Sequence, residues 1–280
     1  MNFSTNVRQL RELHNMSQAE LANGICSQGL ISKIENGSVV PDISIMVGIA
    51  DKFNLTVSQL IGQSSAGDIF SYIQKVIREL VDYRQYAQLK EFLSKINYAI
   101  LSNKPNFKMW VDAIILNEVE GRSQEAIELL KKAMRVNQFD NVEQGVRIYS
   151  ALGSIHLGTK QFKEAAFYYK KAFDMQETRE IDNYLKRKLL YNMGIAYYQL
   201  DDYSQSIFYS RLALCSVIQA STLYLLDDLH LLLADNYVNL KAWEKAWENI
   251  LRAEVVANIK GNQSLLPYIE QTKNEIFVHK

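Results

Sequence analysis

Small residues recur along this chain at a nearly fixed interval, and that interval limits the folds open to it. Ala126, Ala165, Ser206 and Ala246 are spaced 39, 41 and 40 residues apart. Seven residues after each stands an alanine: Ala133, Ala172, Ala213 and Ala253. Three before the last three stands an aromatic (Phe162, Tyr203, Trp243), and twelve before stands a small residue (Gly153, Gly194, Ala234). Nine before come His156, Tyr197 and Tyr237. A repeating unit of this length cannot bury its apolar face alone and must stack on copies of itself. Residues seven apart share a helix face, so the small ones let a second helix come close and the aromatics fill the space beside them. The chain also has only 3 prolines and 12 glycines, below the average usage of ~5% and ~7%. Turn-rich sandwiches and glycine-looped α/β folds are therefore excluded. An all-α protein is expected.

The register resembles the tetratricopeptide repeat, with its "L-G-x-x-Y … aromatic-x-x-A … A" pattern. That resemblance implies a right-handed α-solenoid. The period exceeds the usual ~34 residues and the terminal proline is missing, so longer helices or linkers are expected. The first repeat is degenerate, with Trp110, Ile114 and Asn117 in the corresponding places, and Tyr86, Leu89 and Ile96 hint at an earlier one. Residues 263–278, with Leu265, Leu266, Ile269, Ile276 and Phe277, are expected to form the C-terminal capping helix that a solenoid needs.

A different pattern precedes the repeats. The polar, small-residue stretch Gly62-Gln63-Ser64-Ser65-Ala66-Gly67-Asp68 marks the change. It divides the chain into an N-terminal domain (1–62), a linker (63–68) and a repeat domain (69–280). In the first domain Val7, Leu10 and Leu13 space an amphipathic helix. Ser17 with Glu20 is a capping-box pattern opening a second. Ser27 caps a third with Leu30, Ile31 and Ile34 inward, and Asn36-Gly37 stops it. Pro41 and Asp42 open a fourth helix carrying Ile45, Ile49, Ala50 and Phe53, and Thr56 caps a fifth carrying Val57, Leu60 and Ile61. Five short helices with a tight turn between the second and third make a helix-turn-helix domain.

The string Met16-Ser17-Gln18-Ala19-Glu20-Leu21-Ala22 … Ser27-Gln28-Gly29-Leu30-Ile31-Ser32-Lys33-Ile34-Glu35-Asn36-Gly37 … Pro41 resembles the phage-repressor type of helix-turn-helix, over roughly residues 3–61. In that fold the third helix lies in the major groove with its N-terminal side chains toward base edges. The resemblance thus brings Ser27, Gln28, Gly29, Ser32 and Lys33 to or near double-stranded DNA. Gln28 can pair with adenine, and Lys33 suits guanine or a phosphate. Gln18 and Asn36 stand where such proteins hold phosphates. Gly29 departs from the usual polar reader, which relaxes readout there or leaves it to DNA shape. Residues 1–62 hold four cations (Arg8, Arg11, Lys33, Lys52) against five anions (Glu12, Glu20, Glu35, Asp42, Asp51). One domain releases few counterions and binds weakly, so two copies are expected to bind together.

Catalysis finds little support. His14, His156, His230 and His279 sit in unrelated contexts with no metal-ligand spacing, and His156 reads as a packed ring. Neither glycine-rich phosphate motif is present. Asp227-Asp228 and Asp201-Asp202 read as solvated or dipole-matched residues at helix ends. The reading is a non-enzyme with no cofactor and no metal. The 31 basic and 31 acidic side chains balance, giving no global signal for nucleic acid. Cys26 and Cys215 read as small buried hydrophobes of a reducing compartment. Without a signal peptide or an apolar run of ~18 residues, a cytoplasmic protein that does not enter membranes is expected.

First helices of stacked pairs line a concave groove. Read at helical spacing, that face presents Arg147, Ser150 and Ser154, then Lys188, Tyr191, Asn192, Ile195 and Tyr198, then Asp228, Leu231 and Asp235. Amide and charged groups there can hold a peptide's backbone or terminal carboxylate while Tyr and Ile shelter its side chains. A solvated face or a dimerisation surface fits the same residues. The two halves together resemble the peptide-responsive quorum-sensing regulators of the PlcR and Rgg type. This resemblance implies a homodimeric transcription factor that binds an inverted-repeat operator and receives a short signalling peptide. Tyr191-Asn192 matches the Tyr-Asn pair whose asparagine holds peptide backbone in such proteins. The corresponding asparagine one repeat earlier is Ser150 here. Two other readings stay open: a scaffold or antagonist that binds a protein partner, and a constitutive dimeric repressor without a peptide ligand.

Overall fold

The computed structural model describes residues 3–61, 66–96, 101–102, 104–135, 139, 141–176 and 183–279, among which there are sixteen α-helices and no strand. The chain divides into two compact units, Met1–Gly121 and Arg122–Lys280.

The first unit holds α1 (Phe3–Leu13), α2 (Gln18–Ala22), α3 (Gln28–Glu35), α4 (Ile43–Lys52), α5 (Val57–Ile61), α6 (Ala66–Asp82), α7 (Tyr86–Lys95) and α8 (Pro105–Glu118). Its short helices start where their caps dictate. Ser17 Oγ accepts from Glu20 N–H at 3.2 Å while the Glu20 carboxylate accepts from Ser17 N–H at 2.7 Å. Thr56 and Gln59 repeat this reciprocal pair at 3.2 and 2.8 Å. Ser27 caps α3 and Asp42 caps α4. Each such cap stabilises its helix by about 1 kcal/mol. Gly37 ends α3 with φ +70°. Val7, Leu21, Ile31, Ile34, Met46, Ile49 and Leu60 are fully buried and make the core.

Leu13 departs from the expected apolar face and is 75% exposed. The inward row of α1 runs through Phe3, Val7 and Arg11 at four-residue steps, and Leu13 lies two positions off it. The expected linker also differs. Helix α6 begins at Ala66, so residues 66–68 are helical, and residues 62–65 lie outside the described residues. Leu89, Ile96, Trp110 and Ile114 are buried, as their repeat-like spacing implies.

The second unit holds α9 (Ser123–Arg135), α10 (Val142–Gly158), α11 (Phe162–Gln176), α12 (Asn183–Tyr198), α13 (Tyr203–Gln219), α14 (Leu226–Asn239), α15 (Trp243–Lys260) and α16 (Leu266–His279). Helices α10–α11, α12–α13 and α14–α15 pair, and α10, α12, α14 and α16 touch in succession as an inner row. Helices α11, α13 and α15 each pack on the inner helix that follows. All eight small residues of the repeat pattern are fully buried. A Cβ on Gly153 would lie 2.6 Å from the Tyr169 ring, and one on Gly194 would lie 2.6 Å from Ser210 Oγ. These glycines set the close approach of the paired helices. Where the other repeats carry alanine, Ser206 donates to the Gly194 carbonyl at 2.8 Å and accepts from Asn236 Nδ2 at 2.9 Å. One hydroxyl thereby ties α12, α13 and α14 together.

The first helix of each pair ends the same way. Lys160, Asp201 and Lys241 take left-handed φ of 60°, 58° and 57°. The next amide reaches back five residues: Gln161 to His156 O, Asp202 to Tyr197 O and Ala242 to Tyr237 O, at 2.8–3.0 Å. This is the Schellman ending, built here without glycine, which explains how so many helices fit a chain with so few turn residues. In α16, Ile269 and Ile276 are buried while Phe277 is 76% exposed. The capping helix exists, but Phe277, one position beyond the inward row, does not join its core. Cys26 is half-buried and Cys215 exposed, so neither is the buried hydrophobe expected.

Candidate functional site

On the helix-turn-helix, Ser27, Gln28, Gly29, Lys33 and Asn36 are exposed, and Gln18 and Ser32 are half-buried. A chain of hydrogen bonds orders this face. Gln28 Nε2 donates to Gln18 Oε1 at 2.9 Å, and Gln18 Nε2 donates to Glu35 Oε2 at 2.8 Å. Arg11 Nε and Nη2 donate to the two Glu35 oxygens at 2.6 and 3.0 Å, and Nη1 donates to the Met16 carbonyl at 2.8 Å. Burial opposes charge on Glu35, but the hydrogen bonds from Arg11 and Gln18 outweigh it and hold the carboxyl below the ordinary range. The hydrogen bond to Glu35 raises the Arg11 guanidinium correspondingly. Nothing lies within 4 Å of where a Cβ on Gly29 would stand, so packing does not require glycine there. The helix-turn-helix resemblance marks Gln18 and Gln28 as expected DNA contacts but does not reveal that they touch. Glu35 and Arg11 were missed, because a pair 24 residues apart leaves no local signal.

In the second unit α12, which carries Lys188, Tyr191, Asn192 and Tyr198, touches both α10 and α14. Arg147 is only 4% exposed, with its Nε donating to Glu143 at 2.9 Å. It was read as a groove residue and lies beneath the surface instead. Ser150 Oγ is buried and has no hydrogen-bond partner, and Asn192, half-buried, has none among the described residues. Tyr191 packs on the core formed by α10 to α14. Tyr198 Oη accepts from Asn239 Nδ2 at 3.3 Å. Asp235 accepts from Thr272 Oγ1 at 3.1 Å. Burial, with Glu275 acting in the same direction, pushes the Asp235 carboxyl up to about 6. Burial and then the nearby Asp235 raise the Tyr198 phenol. Asn239, Thr272 and Glu275 were not foreseen, although the 40-residue period carries Asp235 onto Glu275.

The remaining polar residues are structural. His156 is buried, stacked 5.3 Å from Tyr168, with Nδ1 on Gln161 Oε1, the packed ring expected. Asp227 departs from the solvated reading: it is fully buried and bound by Lys260 and Asn262. Among the described residues no group of three or more His, Cys, Asp or Glu could hold a metal ion, and no helix is long and apolar enough to cross a membrane.

A repressor-type helix-turn-helix joined to paired helices with a polar inner face defines a DNA-binding transcriptional regulator rather than an enzyme. Residues 7–60 match the helix-turn-helix family, and residues 73–246 match the C-terminal domain of the RNPP family. The chain belongs to the RNPP family. Its fold is similar to that of Bacillus thuringiensis PlcR, crystallised with the peptide PapR7 and DNA: TM-score 0.59, 19% identity, 96% of this chain and 98% of that one. It is also similar to apo ComR, the competence regulator of Streptococcus vestibularis: TM-score 0.54, 15% identity, 99% of this chain and 97% of that one. No curated protein matches it in sequence.

Proposed function

We propose that the protein is a cytoplasmic, homodimeric regulator in which residues 1–62 read an inverted-repeat operator and residues 69–280 bind a short signalling peptide that modulates DNA binding. The observation that carries the DNA half is the Gln28–Gln18–Glu35–Arg11 chain, which fixes two amides on an exposed face beside the bare Gly29. A pre-positioned glutamine loses little freedom on pairing with adenine. Ser27, Ser32, Lys33 and Asn36 flank it as base or phosphate contacts. The peptide half rests on the inner row. Ser150 and Asn192 have unused hydrogen-bonding capacity there, Lys188 brings positive charge, Arg147 lies buried in α10 below that surface, and Tyr191, Tyr198 and Asp235 complete the lining. An asparagine amide can donate to and accept from one peptide bond at once. PlcR, bound to a peptide and DNA, shares this fold over its whole length, which supports the same division of labour here.

Two features favour a dimer. The N-terminal domain has little net charge, and α15 exposes Leu251, Val255 and Ile259 on one side, 38%, 58% and 67% accessible. Such a stripe fits an isologous contact between two copies.

The test is to sequence DNA bound by the protein with and without peptide extract from the host's culture medium. Peptide-dependent recovery of sites with two-fold symmetry is expected. An identical set under both conditions would leave a constitutive repressor. Asn192→Ala should lower affinity for the active peptide by about one to two decades while leaving peptide-free DNA binding intact.

A further inference from the structure

The inner row of helices changes the sign of its charge along the repeats. A step of 41 residues from α10 to α12, then of 40, places Arg147, Lys188 and Asp228 at one position of successive inner helices. The same steps place Ser154, Ile195, Asp235 and Glu275 at another. Contacts between repeats hold this register. Tyr184 and Tyr224, forty residues apart, stack with centroids 4.6 Å apart, and Tyr198 meets Asn239 across α12 and α14.

Cations dominate one end. Helix α12 carries Lys186, Arg187 and Lys188 in its first two turns, the Arg187 Nε is buried without a hydrogen-bond partner, and the buried Arg147 of α10 pairs with Glu143. Acids hold the other end. Neither Asp235 nor Glu275 has an ion-pair partner among the described residues. The nearby cation Lys273 is engaged by Glu254 and Glu270. The Asp235 carboxyl is half-buried and Glu275 is exposed; burial first, and then the nearby Glu275, disfavour charge on Asp235, and a cation seated there would relieve both carboxylates.

We infer that the groove holds its peptide in one direction, with the carboxylate end over α10 and α12 and an ammonium or basic side chain against Asp235 and Glu275. This rests on the peptide-receptor reading above and adds the ligand's polarity and length. Packed helices lie ~8–10 Å apart, so three steps from α10 to α16 span roughly 24–30 Å. An extended chain at ~3.3–3.6 Å per residue crosses that distance in about eight residues.

The probe is a synthetic octapeptide mixture of all amino acids, prepared with free ends, with acetylated N-termini, or with amidated C-termini. Binding to the full chain is read by affinity selection and mass spectrometry, and individual hits by calorimetry. Free-ended hits should lose about tenfold or more when either end is capped. Acetylated peptides that survive should carry Lys or Arg within their first two residues. Asp235→Asn with Glu275→Gln should erase the acetylation penalty and keep the amidation penalty, and Lys188→Gln should do the reverse. A photo-reactive group at the N-terminus should label α14 or α16. If hits bind equally well capped and without basic residues, or the N-terminal group labels α10, the polarity is wrong and the receptor reading survives. If no mixture yields a binder, the receptor reading falls and this inference with it.

Discussion

Glu35 accepts from two of the three Arg11 nitrogens, Nε at 2.6 Å and Nη2 at 3.0 Å, across 24 residues of sequence, and the same carboxylate anchors Gln18 on the surface above. A buried ion pair thus serves as the base of the helix-turn-helix surface.

Removing one partner leaves the other charged and buried, so Glu35→Ala should destabilise the N-terminal helices by about 3–5 kcal/mol. The folded carboxyl titrates below its ordinary value. Its contribution is therefore fully present above that ordinary value, ~4.3, and is lost as pH falls through the folded value. Hydrogen exchange of α1 to α3 amides should show protection falling in wild type as pH drops below ~4. Glu35→Gln should be weaker throughout and flat over that range.

Gly153→Ala should cost about 1–3 kcal/mol, because the new methyl meets the fully buried Tyr169 ring and overpacks α10 against α11. Gly158, near the end of the same helix, has nothing within 4 Å, so Gly158→Ala is the control. Thermal unfolding should separate the two, and equal melting temperatures would remove the close-approach argument.

Asp235 carries the opposite sign from Glu35. Its folded pKa of about 6 lies above the ordinary aspartate value of 3.8, so the folded state holds its proton more tightly than the unfolded state. Stability falls as pH rises between those two values and stays reduced above them. Asp235→Asn should raise stability at pH 7.5 by on the order of 2–3 kcal/mol and by far less at pH 4. A gain that does not change with pH would reassign the effect to packing.

Lys241 takes a left-handed conformation that favours glycine. Lys241→Gly should stabilise by roughly 0.5–1 kcal/mol, the steric relief exceeding the added chain entropy. Lys160→Gly should behave alike, and the two should add, since they sit in separate turns. Calorimetric melting of the single and double variants checks both statements.

The parts of this fold that were legible in the sequence are those encoded within a few residues or at a fixed period. Ser17, Ser27 and Thr56 announce their helices through caps that span three positions, and the buried alanines follow the 40-residue register. Arg147 was misplaced for a physical reason. Periodicity gives the direction in which a side chain leaves its helix, but not whether Glu143 on the preceding turn draws it beneath the surface. Leu13 and Phe277 fail similarly, each a position or two away from an inward row. The pairings of Glu35 with Arg11, Thr272 with Asp235 and Lys260 with Asp227 join residues 24 to 37 apart and have no sequence signature. They carry much of the electrostatic character of both candidate sites.

The Ser206 hydroxyl, shared between the Gly194 carbonyl and the Asn236 amide, has a mechanical consequence. Apolar helix faces tolerate small sliding, the shear by which packed helices change relative position, whereas a directional bond loses its geometry within a fraction of an ångström. The joint between α12–α13 and α14 is therefore stiff. At the equivalent places of the neighbouring pairs, Ala165 and Ala246 present only methyl groups. Any bending of the repeat array should concentrate at those slippery joints, with the middle of the array moving as one lever.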